Sequence, residues 1–165
     1  MWSSDRRRLL GLIAALPVAA CGFRPAYGPG GPARGLMGTI AMDDPADKNA
    51  YDLVGALQDR LGRASQAAWR LSYKIATQEL GLGITASNAI TRYNITGSVD
   101  YTVRRAGSDT VVAAGRVSDF TSYSASGTVV STTTSQRDAY QRLMQSLADQ
   151  IVTRLIATSA DWARQ

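Results

Sequence analysis

The apolar positions of this 165-residue chain repeat with two different periods. Tyr51, Val54, Leu57 and Leu61 fall three and four residues apart, which places them on one face of a helix. Asp44 is a natural N-cap for that helix, Pro45 suits its first turn, Asp47 favours its positive end, and Gly62 is a natural stop. At "AWRLSYKIATQEL" the period becomes two. Trp69, Leu71, Tyr73, Ile75 and Thr77 point one way, and Arg70, Ser72, Lys74 and Gln78 the other. "NAITRYNITGSVDYTVRR" alternates again, with Thr91, Tyr93, Ile95, Val99, Tyr101 and Val103 inward and Arg92 and Arg104 among the outward set.

A third such run, "TVVAAGRVSDFTSYS", has an ambiguous facing. Val111 and Val117 share one parity, Val112 and Phe120 the other, and a bulge near Gly115 would reconcile them. A short strand centred on Ile40 precedes the first helix. "GLGITAS" and "AGSD" read as connections, and "ASGTVVSTTTS" as a loop. A second helix then begins at Ser135, which pairs with Asp138 as a cap. Its stripe runs through Tyr140, Leu143, Met144, Leu147, Ile151, Val152 and Leu155. The order strand, helix, three strands, helix predicts an α+β fold. It is a two-layer sandwich, with two helices packed on one face of a four-stranded, mainly antiparallel sheet.

The amino terminus is patterned differently. "MWSSDRRR" is basic, "LLGLIAALPV" is a short oily run, and Ala19 and Ala20 are small residues, the layout of a secretory signal peptide. The oily run is short of the roughly 20 residues that span a bilayer. "VAAC" resembles a bacterial lipobox, which implies cleavage before Cys21 and lipid attachment to its thiol. Two or more acyl chains anchor stably where one anchors only marginally. Gly22, not Asp, follows the cysteine, which by the rule for such lipoproteins points to the outer membrane. Residues 22–35 hold eight Gly or Pro in fourteen positions and read as an extended tether. The expected organisation is a signal peptide over 1–20, a lipidated cysteine and tether over 21–35, and one domain over 36–165.

Composition removes chemistry more than it adds it. The chain has no histidine and one cysteine. That excludes Ser-His-Asp and Cys-His catalysis, an internal disulfide and a CxxC metal site. Glu79 is the sole glutamate, so a glycosidase pair would need two aspartates with no supporting motif. No phosphate-binding glycine loop or GxSxG elbow is present. The sequence therefore points to a non-enzyme without a cofactor. The formal charge is +5, and removing Asp5, Arg6, Arg7 and Arg8 with the signal leaves +3, too little to indicate nucleic acid. Arg70, Lys74, Arg92 and Arg104 share the outward strand face. They read either as an ordinary solvated surface or as an anion-recognising one.

"CGFRPAYG" at the cysteine resembles the opening of alphaproteobacterial LptE proteins, the lipopolysaccharide-assembly lipoproteins. "LVGALQDRLG", "TRYNITGSVDYTV", a strand ending in "SYS" and "DAYQRLMQSLADQIVTRL" follow in the family's order. The resemblance implies a non-enzymatic protein, lipid-anchored through Cys21 on the periplasmic side of the outer membrane. It implies a plug inside the barrel protein LptD that assists barrel assembly, binds lipopolysaccharide and helps its delivery to the outer leaflet. The lipopolysaccharide contacts expected from the strand face are Arg70, Lys74, Arg92 and Arg104. An auxiliary lipoprotein of a lipid-transport ABC system and a periplasmic cell-wall enzyme are the alternatives.

Overall fold

The structure, a computed structural model, describes residues 25–29, 31–84 and 90–163. Four strands form one sheet in the order β1 (Ile40–Met42), β2 (Trp69–Ile84), β3 (Ile90–Arg105) and β4 (Val111–Ser124). β1 pairs with β2 in parallel, and the other two pairings are antiparallel. Helices α1 (Lys48–Leu61) and α2 (Val129–Trp162) lie side by side on one face. This is the two-layer α+β sandwich that the alternating periods predict.

The period-two pattern sorts the faces as expected. Leu71, Ile95, Val99, Val103 and Val117 are buried, and they meet Leu53, Leu57, Leu61, Leu143, Leu147, Ile151 and Leu155 in a single core. Each such aliphatic side chain contributes about 1.5–3 kcal/mol of transfer free energy on full burial. Gly97 is inward too. A Cβ there would stand 2.9 Å from Leu143 Cδ2 and 3.2 Å from Leu147 Cδ1, so the absent side chain is what lets α2 approach β3. Trp162 meets Trp69 edge-to-face at 5.2 Å, while Tyr140 reaches Glu79. The 22 residues of helix between these points and the 10 residues of strand each span about 33 Å, so α2 runs the length of β2.

Four local expectations need correction. The α1 cap is Asp47, whose Oδ1 accepts from the Ala50 amide at 2.8 Å, rather than Asp44. Helix α2 starts at Val129, six residues before Ser135, and Thr128 caps it. The hydroxyls that argued for a loop are satisfied inside the helix, since Thr133 and Thr134 donate to the carbonyls of Val129 and Val130. Strand β2 continues through Gly81 to Ile84. The bulge sits at Val112, because Val103 pairs with Ala113 while Arg104 pairs with Val111, and Phe120 faces outward, 70% exposed. Gly62 does end α1, with a φ of 76° that favours glycine.

The glycine- and proline-rich stretch from Pro25 onward is packed against the domain. Residues Pro32–Gly35 form a 3-10 turn, the Ala33 amide donates to Ala26 O, and Ala33 and Leu36 are buried in the core.

Candidate functional site

The sheet face opposite the helices carries the even-numbered residues of β2 and β3 and, on β4, Val111 before the bulge and the even-numbered residues after it; no described element covers it. Register arranges these residues in rows. One row is Arg70, Arg104 and Val111; the next but one is Lys74, Asp100 and Arg116; the last regular row is Leu82, Arg92 and Ser124. All four sequence-predicted cations therefore do lie on this face.

They do not form one cluster. Arg70 and Arg104 are direct cross-strand partners and line a niche of about 290 Å³ with Arg105, Ser108 and Asp109. Like charges directly opposed on a sheet repel. Asp43 offsets the repulsion by accepting from Arg70 Nε at 2.7 Å. Burial pushes the Asp43 carboxyl up, but the bonds from Arg70 and Ser72 and the charges of Arg70 and Arg104 outweigh it and hold it below its ordinary range. Lys74 lies across from Asp100, which Arg116 also approaches at 3.7 Å. Arg92 lines a separate depression with Leu82, Thr91, Ser124 and Ser126. Twelve strand residues put it about 40 Å from Arg104. The arrangement can therefore offer phosphate-like groups a two-arginine site at one end and a single arginine among hydroxyls at the other. Between them, an open groove of about 600 Å³ is lined by Ala76, Gln78, Thr96, Ser98, Ser118 and the exposed Phe120. Cys21, the expected lipid site, lies outside the described residues.

A second polar constellation was not read from the sequence. Glu79 faces the helices and gathers three partners. Tyr123 Oη donates to Oε1 at 2.6 Å, Tyr140 Oη donates to Oε2 at 3.1 Å, and Gln136 Nε2 donates to both oxygens at 3.3 and 3.1 Å. Tyr93 stacks on Tyr123 at 5.2 Å. Burial, and then the bond to Glu79, push the Tyr123 hydroxyl far above its ordinary value; Tyr140 moves the same way for the same causes. Such a network ties β2, β4 and α2 together. The signal for it was parity: the odd-numbered face of β2 puts the chain's sole glutamate inward.

A family model for lipopolysaccharide-assembly proteins, LptE, matches residues 37–155. Several solved structures share the fold. A protein of Caulobacter crescentus CB15 described as a lipoprotein is 24% identical, with a TM-score of 0.67 over 78% of this chain and 95% of that one. Rare lipoprotein B of Shewanella oneidensis is 12% identical, with a TM-score of 0.57 over 74% and 96%. A minor lipoprotein of Acinetobacter baumannii is 13% identical, with a TM-score of 0.54 over 73% and 90%. No curated protein matches the sequence. The match over most of the chain, on a two-layer fold with one sheet face left open, identifies the protein as a member of the LptE family of lipopolysaccharide-assembly proteins.

Proposed function

We propose that this chain is an outer-membrane lipoprotein, anchored through Cys21, that plugs the LptD barrel, assists its assembly and helps lipopolysaccharide reach the outer leaflet. The observation that carries this reading is the family match over residues 37–155. The open sheet face supports it. A barrel lumen is polar, so a plug should present polar rows such as Lys74–Asp100–Arg116 rather than a greasy surface. In this reading the protein is not an enzyme. Its chemistry is recognition of phosphorylated glycolipid by Arg70 and Arg104 at one end of the open face and Arg92 at the other, with Lys74 partly neutralised by Asp100 between them.

The test is affinity capture of the tagged protein from detergent-solubilised outer membranes, with mass identification of what accompanies it. A large outer-membrane barrel in stoichiometric amount is the expected result. An inner-membrane transporter with no barrel would overturn the reading in favour of an ABC-system auxiliary. Mass measurement of the same preparation should show Cys21 as the acylated first residue.

A further inference from the structure

The two edges of the sheet are treated unequally. At the β4 edge, backbone groups of the even-numbered residues past the bulge point away from β3, and side chains occupy three of them. Arg154 Nη1 donates to Arg116 O at 2.5 Å, Gln150 Nε2 to Ser118 O at 3.4 Å, and the Phe120 amide donates to its neighbour Asp119 at 2.8 Å. Such capping is how natural sheets keep an edge from acquiring another strand.

Among the described residues, the β2 edge has no such cover. β1 runs for three residues beside a strand of sixteen, and its ladder ends where the Asp43 amide donates to Leu71 O. That bond shows that the odd-numbered residues of β2 aim their backbone groups at the β1 side. Beyond it, among the described residues, nothing hydrogen-bonds the edge-facing amides and carbonyls of Tyr73, Ile75, Thr77, Glu79 and Gly81. These five residues span about 27 Å of extended edge. Tyr73 and Ile75 are half-buried beside it, and a depression of about 190 Å³ lined by Lys48, Asp52, Gln136 and Tyr140 lies on the helix side.

We propose that this edge receives an extended strand from a partner polypeptide, prolonging the ladder that β1 begins, and that the partner is the barrel protein of the preceding section. The inference rests on that functional reading for the identity of the partner. The chemistry comes from the edge itself. A row of alternating amides and carbonyls repeating every two residues, about 6.7 Å, is matched by another extended backbone and by no lipid headgroup. Side chains on one side of the incoming strand would meet Tyr73 and Ile75, and then the polar surroundings of Thr77 and Gln136. The ladder already formed by β1 sets where pairing starts.

Proline offers a clean probe, because it removes an amide donor that the fold does not use at an edge position. The Thr77→Pro variant should keep a cooperative melt, whereas capture of the barrel from solubilised outer membranes should fall at least tenfold; Thr77→Ala should capture it as the wild type does. In the wild-type complex, hydrogen exchange at Tyr73, Ile75, Thr77, Glu79 and Gly81 should slow at least tenfold relative to the uncomplexed protein. Should Thr77→Pro not fold, the wild-type exchange measurement decides alone. A captured barrel with these amides still exchanging at their uncomplexed rate overturns this inference and leaves the functional reading standing. Capture without any barrel overturns both. Slowed exchange in the purified protein by itself, with a doubled mass, assigns the edge to a second copy and overturns the choice of the barrel.

Discussion

The surface between α2 and the sheet is held by two kinds of chemistry. In one half, Leu143, Leu147, Ile151 and Leu155 share an apolar core with Val99, Val103 and Val117, and the bonds from Gln150 and Arg154 run along its β4 margin. In the other, Glu79 collects bonds from Gln136, Tyr140 and Tyr123. Dispersion and burial are spread over many atoms, so the apolar half loses strength in proportion to what is removed. The polar half converges on one carboxylate, and a change at that carboxylate disconnects three partners together. The first ten residues of α2 contribute no buried side chain before Ala139, so that half of the helix depends on directional bonds.

Several changes would break or sharpen this contrast. The largest loss is expected from Leu147→Ala, at about 2–5 kcal/mol of unfolding free energy by urea titration, because the cavity sits where α2 crosses Gly97. Glu79→Leu should cost about 1–3 kcal/mol, since Tyr123 and Tyr140 lose their acceptor. Native-state hydrogen exchange should then show residues 129–140 opening well before residues 143–156. Equal opening of the two halves would erase the distinction.

Alkaline pH should attack the polar half, where two tyrosines share one carboxylate, more than the apolar half, where burial raises Tyr101. Tyr123 and Tyr140 have folded pKa values raised above the unfolded value, so their contribution is fully present below about pH 10 and is lost as pH climbs beyond it. Urea titrations at pH 8 and pH 10.5 should show wild-type stability falling, and Tyr123→Phe should reduce the fall. The smallest effect is expected at the fork from Arg60 to Asp149, which joins the two helices. Asp149 is more than half exposed, so Arg60→Ala should cost well under about 1 kcal/mol.

The layers were legible in the sequence because they rest on periodicity. Strand parity placed Leu71, Val99 and Val103 inward, and the three-four spacing found both helix stripes except for Tyr51, which is 67% exposed. Signals that depend on a single side chain were less secure. Asp44 and Asp47 are both of the residue type that caps helices, so composition does not separate them, and the second is the cap. The Ser/Thr run at 131–135 has low helix propensity, yet it continues a helix already committed by its packed end. Val111, Val112, Val117 and Phe120 could not reveal where the bulge lay, because two positions satisfy the same alternation. The four cations were assigned correctly to one face, but their separation along it became visible only with the register. The Glu79 network was missed although its parity pointed inward, since its partners come from β4 and α2, far along the chain.

The packed stretch ahead of β1 also bears on how the domain is held at a bilayer. Between Cys21 and Pro25 there are four Cα-to-Cα steps, about 14 Å at full extension. From Ala26 the chain is already bonded to Ala33, which lies in the same core as Leu36 and Trp162. Acyl chains on Cys21 would therefore sit beneath the Trp69–Trp162 end, and the β2–β3 hairpin would stand away from the surface. A leash of that length would be too short for free tumbling, and such an anchor would fix polarity as well as place.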